Sequence, residues 1–385
     1  MKKIAVVTAT RAEYGLLSPV IKELRKRECK ELKVDLVVTG THLSEKYGRT
    51  IEEISDRIDH QIMISIVSES EADISSNQAE ALVKFTELFL EEKYNAVVLL
   101  GDRYESLAIA IAAGNTRTPI FHLCGGDTTE GALDEWIRHS ITKISYLHFV
   151  TNEESRKRVI QLGEDPTRVF NYGSTSIDNI LTVADMSKEE ALDSVRLLDC
   201  KYALCTYHPV TMEGGSVDEQ IDAFLQAIIA FPDIQFIVTK SNADQGGARI
   251  NNLLDTAAEK IDNMHVYTSL GIRRYLSLMR YAEFVLGNSS SGIIETPAFK
   301  VATVNIGDRQ RGRLQSESII NCGSRAEDIV NAIRQSMSEE HRRICEKVVS
   351  PYGDGHAAER IANKTIEVVM GGGIDLKKKF YDIDL

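Results

Sequence analysis

At 385 residues, with 43% hydrophobic and 26% charged residues, the chain has room for about two domains with buried cores. A formal net charge of −12 argues against nucleic acid or an anionic membrane as the main partner, although local arginines can still hold a phosphorylated ligand. The N-terminal apolar run Ile4–Val7 is too short for a signal peptide or a membrane span. The six cysteines (Cys29, Cys124, Cys200, Cys205, Cys322, Cys345) show no CxxC pair or Cys/His spacing, so they read as structural thiols in a reducing cytoplasm.

Ile4–Val7 reads as a buried strand, Thr8–Gly15 as the loop after it and Leu16–Lys26 as a helix. Val34–Thr39 closes a βαβ unit, the mark of a parallel sheet. Ligands of such sheets bind at the carboxyl ends of the strands, where Arg11, Glu13, Gly40, Thr41 and His42 fall. The first loop is not GxGxxG, so the dinucleotide fingerprint is missing; Arg11 is either a surface residue or a partner for phosphate or carboxylate. Asp59–Gln78 is polar and reads as a strand and a mobile loop, followed by an amphipathic helix over Ala79–Lys93. The strand Asn95–Leu100 runs into Gly101-Asp102-Arg103 and a helix over Tyr104–Ala113, which leaves Asp102 as either an N-cap or a site acid.

The stretch His122–Lys143 is the densest in chemistry: Asp127, Glu130, Asp134, Glu135, Arg138, two histidines (His122, His139) and a Gly-Gly pair. Ile120 and Phe121 lead in, and Leu133, Trp136, Ile137, Ile141 and Ile144 repeat at helical spacing. The pattern predicts a strand, a glycine turn and a helix, with acids at the turn and first helical turn. One such acid would merely complement a helix N-terminus; four beside an arginine point to a site. Leu147–Val150, Glu153–Leu162 and Val169–Tyr172 complete this half, and Gly173–Ser187 leads out of it.

The pattern then restarts with strand Tyr202–Thr206, which ends at His208-Pro209. A helix over Val217–Ala230, strand Gln235–Thr239, the loop Lys240–Gly247 with Asn242, a helix over Arg249–Lys260, strand His265–Tyr267 and helix Arg273–Arg280 follow. Next, Glu283–Glu295 reads as strand, Gly287-Asn288 turn, three serines (Ser289, Ser290, Ser291) and a helix start. Free N–H groups, hydroxyls and the helix dipole there suit an anion, and Glu295 is placed to accept from a ribose. Strand Val301–Asn305 ends at a loop with Arg309, Gln310, Arg311 and Arg313, either a solvated face or charge for a diphosphate. A last amphipathic helix spans Ala357–Val369.

Taken together, TxTRAEYG, GxHLSxxYGxT, GDRYE, GGDTTEG…DEWIRHSITK, HPVT, SNADxG, GNSSSGIIE and NIGDRQRGR resemble the hydrolysing UDP-N-acetylglucosamine 2-epimerases of sialic acid biosynthesis, in family order from Met1 to about residue 325. The C-terminal KKFYDID is also similar to bacterial members. The resemblance implies an α/β fold of two Rossmann-like domains facing across a cleft, of the glycosyltransferase-B type, related to the non-hydrolysing epimerases. Domain boundaries are expected at 1–178, 179–370 (the last helix able to pack back on the first domain) and a polar tail 371–385. The reaction implied is UDP-GlcNAc plus water to N-acetylmannosamine and UDP, with no cofactor and no metal, in a cytoplasmic homo-oligomer that takes a small nucleotide sugar and neither nucleic acid nor membrane.

By motif, Asp102, Asp134 and Glu135 fall on acidic active-site positions, with Arg138 and His208 as partners; Arg11, Ser289, Ser290, Glu295 and Arg309 fall on nucleotide-diphosphate positions. His42, Arg103, Asn242, Ser291, Gln310 and Arg313 extend the substrate-binding set. Where many relatives carry a glutamate before Gly-Gly this chain has Cys124, so Asp127 or Glu130 is expected to stand in and Cys124 to be a packing residue. The chemistry needs acids and arginines together: loss of UDP builds positive charge at C1, acidifies C2–H and gives a 2-acetamidoglucal that is then hydrated. Three other readings stay open: the same reaction on UDP-N,N'-diacetylbacillosamine for legionaminic acid, a glycosyltransferase, and a non-catalytic nucleotide-sugar binder.

Overall fold

Alternate residues of the first strand go to opposite sides: Ile4 and Val6 enter one hydrophobic cluster, Ala5 and Val7 another. A strand buried on both faces has no polar positions, which is why this run is apolar throughout. The computed structural model describes residues 1–45, 48–66, 70–129, 133–208, 217–241 and 247–383. They form two compact units, Met1–Asp178 with Tyr352–Leu385, and Asn179–Pro351.

The first unit runs β1 (Lys2–Thr8), α1 (Arg11–Arg25), β2 (Leu32–Thr39), β3 (His60–Ile62), α2 (Glu71–Glu92), β4 (Ala96–Leu100), α3 (Tyr104–Asn115), β5 (Ile120–Leu123), α4 (Leu133–Ile144), β6 (Leu147–Val150), α5 (Glu153–Gln161) and β7 (Val169–Asn171). Its strands pair in parallel in the order β3-β2-β1-β4-β5-β6-β7, with Val6 between Leu36 and Val98. Two helix starts differ from the sequence reading. Residues 8–15, expected as a loop, contain the start of α1, because Thr10 and Glu13 form a reciprocal capping box. α2 begins at Glu71 rather than at 79, with the Ser70 hydroxyl accepting from Asp73 N at 3.3 Å. Its polar first turns hid the apolar period.

The second unit follows α6 (Thr175–Thr182), which carries the boundary between the two, and α7 (Lys188–Asp193). It continues through β8 (Tyr202–Thr206), α8 (Val217–Ile229), β9 (Gln235–Thr239), α9 (Gly247–Ala258), β10 (Met264–Tyr267), α10 (Gly271–Tyr281), β11 (Phe284–Gly287), α11 (Ser291–Ile294), α12 (Thr296–Phe299), β12 (Ala302–Ile306), β13 (Ile319–Cys322), α13 (Ala326–Ser336) and α14 (Glu339–Lys347). The parallel order is β10-β9-β8-β11-β12-β13. Ala203 and Cys205 of β8 join one core cluster, Tyr202 and Leu204 the other.

The last helix, α15 (Ala357–Gly371), belongs with the first unit, so the second closes at Pro351 rather than at 370. Its Ile361 and Ala362 share a core cluster with Leu17 and Ile21 of α1. The Asp178 carboxylate accepts from its first N–H groups, Ala357 at 3.2 Å and Ala358 at 2.8 Å. Among the described residues no helix is long and apolar enough to cross a membrane. In each sheet the strand order reverses once, between β1 and β4 and between β8 and β11, and the carboxyl ends of those strands are where α/β sheets bind ligands.

Candidate active site

In the first unit, Arg138 is the centre of the acidic stretch. Its side chain is 3% exposed and its two terminal nitrogens reach four groups. Nη1 donates to Glu135 Oε2 at 3.0 Å and to Asp127 O at 2.7 Å; Nη2 donates to Thr129 Oγ1 at 2.7 Å and to Asp102 Oδ2. Helical spacing of three residues puts Glu135 and Arg138 on one face of α4. Asp102 arrives from the end of β4. It is not the N-cap of α3, a position held by Arg103, so its carboxylate is free to meet Arg138. Burial alone would raise the Glu135 carboxyl, but the Thr129 N–H at 2.6 Å and the Arg138 guanidinium outweigh it and hold it below the ordinary range. His139 Nε2 lies 3.2 Å from the other oxygen of Glu135.

The other acids of the stretch are placed differently. Asp127 Oδ1 accepts from Ser155 Oγ at 2.6 Å and Thr151 Oγ1 at 2.8 Å, which ties the glycine turn to the start of α5. Asp134 is exposed on the first turn of α4, and Glu130 lies outside the described residues. Gly126 has φ of +79°, and a Cβ on it would stand 2.3 Å from Ser155 O, so no other residue fits the turn. Cys124 also takes a left-handed φ, +63°; it donates from N to Phe149 O at 2.9 Å and packs against the core.

His122 was noted in the sequence without a role. It is buried, with Nε2 donating to Gly101 O at 2.8 Å, and burial pushes its pKa down to about 3, so the ring is neutral. It therefore braces the Gly101-Asp102 turn from β5. His42 corrects an expectation. It is fully buried, with Nε2 3.1 Å from Thr8 Oγ1 and Nδ1 2.9 Å from Thr50 Oγ1, so both ring nitrogens are taken and none is left for a ligand. Burial pushes its pKa down to about 4.

Arg11 is exposed on the first turn of α1, with Nε 3.5 Å from Glu53 Oε2. Arg103 Nε pairs with the fully buried Glu105 at 3.2 Å. Burial works against the charge on Arg103, but Glu105 and Glu13 overcome it and raise its pKa. Glu13 is itself buried, and burial pushes its carboxyl up to about 7 although Ala9 N and Thr10 N donate to Oε2 at 2.7 and 3.0 Å.

In the second unit, Asn288 is the organising residue, and the sequence reading passed over it. From the end of β11 it exchanges two hydrogen bonds with the backbone of His208, beyond the end of β8. Its own carbonyl accepts from Arg309 Nη1 at 3.0 Å and Gln310 Nε2 at 2.8 Å, so the loop after β12 is tied to the same point. His208 is nearly buried, and its Nδ1 is 3.2 Å from Ser241 Oγ. Gly287, between them, has φ of +140°, and a Cβ there would lie 1.9 Å from Thr206 O.

Ser289, Ser290 and Ser291 are half-buried at the mouth of the short α11. Ser291 N donates to Ser289 Oγ at 3.4 Å, and Ser291 Oγ donates to Glu295. Burial pushes the Glu295 carboxyl up to about 7, with the Ser291 hydroxyl opposing. The Gln310 side chain is buried, whereas Arg309 is exposed. Arg313 is half-buried and touches the loop through its N–H, 3.3 Å from Gln310 O. Asn242 lies outside the described residues. The structure thus gathers Asp102, Asp127, Glu135 and Arg138 in one unit, and His208, Arg309 and Gln310 around Asn288 in the other.

Residues 22–366 match the family model described as UDP-N-acetylglucosamine 2-epimerase. The chain is 38% identical over 348 residues to the GDP/UDP-N,N'-diacetylbacillosamine 2-epimerase (hydrolyzing) of Campylobacter jejuni, covering 89% of each. It is also 38% identical over 387 residues to the polysialic acid biosynthesis protein P7 of Escherichia coli, covering 100% of this chain and 98% of that one. Among solved structures, the UDP-GlcNAc 2-epimerase from Neisseria meningitidis bound to UDP-GlcNAc shares the fold, with a TM-score of 0.82 at 18% identity over 95% of this chain and 100% of that one. With the family model along most of its length and relatives at that identity, the chain belongs to the UDP-N-acetylglucosamine 2-epimerase family.

Proposed function

We propose that the chain is a hydrolysing 2-epimerase that converts UDP-GlcNAc and water to N-acetylmannosamine and UDP. The observation that carries the reading is the buried Arg138 held between Asp102 and Glu135. A guanidinium in that position orients two carboxylates towards one point, as proton transfer and charge stabilisation at a sugar require. In this reading Glu135 faces the positive charge that grows at C1 as UDP departs. Asp102 and Asp134 divide the C2 proton transfers, one removing it and the other returning a proton from the opposite face. Arg11 and Arg103 add positive charge. Ser289, Ser290, Ser291, Arg309, Gln310 and Arg313 hold the nucleotide diphosphate with His208, and Glu295 takes the ribose hydroxyls.

The product would feed sialic acid synthesis, a reading supported by the similarity to the E. coli polysialic acid biosynthesis protein, and the enzyme is expected to be a cytoplasmic homo-oligomer. Turnover in D2O tests the mechanism: elimination and rehydration place deuterium at C2 of released N-acetylmannosamine, and a product that keeps its original hydrogen sinks it. A second reading is favoured by the Campylobacter relative, in which UDP-N,N'-diacetylbacillosamine is the substrate of the same steps. Comparing kcat/KM for the two sugars decides between them.

A further inference from the structure

Beyond α15 the chain turns back along the first unit. Tyr381 N donates to Gly163 O at 2.9 Å, and Phe380 lies so close that a Cβ on Gly163 would be 2.4 Å from its ring. Lys143 Nζ stands 5.0 Å from the centre of that ring. Lys378 makes the most specific contacts. Its ammonium donates to Ser145 O at 2.7 Å and Lys143 O at 3.0 Å, at the C-terminal end of α4, and pairs with Glu164 Oε2 at 2.5 Å.

Glu164 is buried and is held as well by Lys143 Nζ at 2.7 Å and His148 Nε2 at 3.0 Å. Burial alone would raise its carboxyl, but His148, Lys143 and Lys378 outweigh it and hold it at about 2, so the charge is present at working pH. The last carbonyls of a helix lack partners within it and carry the negative end of its dipole, so a fixed cation is their favourable cap. α4 is also the helix whose first turns present Glu135 and Arg138, while its Ile137 and Ile141 pack into the core. One helix therefore has a reactive end and an end clamped by the tail.

We propose that residues 375–381 form a strap that fixes the C-terminal end of α4, with Lys378 a positioning residue for the Glu135–Arg138 pair. The proposal rests on the functional reading above for the role of that pair. Trp136, on α4 and exposed, is the only tryptophan of the chain, so its fluorescence reports on this helix alone. The experiment compares K378M, K378R and a chain ending at Gly373, measuring UDP release from UDP-GlcNAc, UDP affinity and Trp136 anisotropy in full. K378M and the shortened chain are expected to lose about tenfold or more in kcat, the scale of an ångström-sized misplacement, with KM and UDP affinity little changed. Trp136 anisotropy should fall in both, and K378R, which keeps a cation in reach of both carbonyls, should recover most of the activity and the anisotropy. Wild-type kcat and anisotropy in K378M overturn the strap, as does a loss that K378R does not recover. Absence of UDP release from the wild type, with anisotropy still falling in K378M, refutes the functional reading and leaves the strap standing.

Discussion

Asn288 and His208, 80 residues apart, exchange both of their facing groups: His208 N donates to Asn288 Oδ1 at 2.7 Å, and Asn288 Nδ2 donates to His208 O at 2.8 Å. An amide side chain thus mimics a strand partner at the point where β8 and β11 have ended and ladder pairing stops. It keeps a histidine with little solvent exposure in one orientation beside the serine turn.

This pairing predicts a specific loss. Asn288→Ala removes both hydrogen bonds to the buried backbone of His208, a loss of about 1–3 kcal/mol for each group. Asn288→Asp retains the acceptor but not the donor and should lose less. Thermal denaturation is expected to rank wild type above Asn288→Asp above Asn288→Ala, with UDP affinity falling in the same order. Identical UDP affinity in all three would show that the Asn288 hub does not shape the nucleotide site.

Glu13 makes the stability of the first unit depend on pH. Its carboxyl has a folded pKa of about 7 against an ordinary 4.5. Between these values the folded chain binds a proton that the unfolded chain has released, so stability falls as pH rises through the window and levels off above it. The shift corresponds to at most about 3.5 kcal/mol, from about 1.4 kcal/mol per unit. Glu13→Gln keeps an oxygen for the N–H groups of Ala9 and Thr10 and carries no charge. It should match the wild type near pH 4 and exceed it at pH 8, measured by urea unfolding at both. Parallel pH profiles for the two proteins would refute this.

Cys124 takes a left-handed conformation that costs a non-glycine residue about 1–2 kcal/mol. Cys124→Gly should relieve that strain at the expense of some packing, leaving Tm close to wild type. Cys124→Ser should keep most of the epimerase activity, since the carboxylates near Arg138 come from Asp102 and Glu135 rather than from this position. A Cys124→Ser protein that folds but is dead would make the thiol part of the chemistry.

Sequence patterns located elements well where burial is two-sided. Tyr202–Thr206 and Gln235–Thr239 read directly as strands because their interiors are apolar, and Leu147–Val150 does so with His148 as its one polar member. The starts of α1 and α2 were harder, since their first turns are polar; the T-x-x-E spacing of Thr10 and Glu13 was the available signal for α1. β13, α13 and α14 lie in a stretch that the sequence reading left unassigned. The acidic stretch was legible because Glu135 and Arg138 are neighbours on one helix, and Asp102 because it ends a buried strand. His42 has a motif position that resembles a ligand contact, whereas its ring is held by Thr50, eight residues on, and by Thr8, 34 residues back, a pairing that depends on the packing of β1 against β2 and is not visible in the motif. Asn288 escaped for the same reason, since its partners lie about 20 and 80 residues away and no local spacing signals them.

The Arg138 arrangement yields the sharpest expectation. Two nitrogens of one planar group serve Asp102, Glu135, Thr129 and the carbonyl of Asp127, a pattern that a lysine cannot reproduce because its ammonium is a single point on a flexible stem. Arg138→Lys should therefore reduce kcat by about 100-fold or more, with a smaller change in KM, because the charge survives but the fork does not. Asp102→Asn should act through the same contact, keeping the shape and losing the charge. If the two residues work as a unit, the double variant will be little worse than the poorer single one, a coupling of about 0.5–3 kcal/mol. Steady-state kinetics on all four proteins measures it, with UDP affinity as the check that the second unit is intact. Losses that simply add would mean that Arg138 and Asp102 act separately and that the guanidinium does not organise the acids.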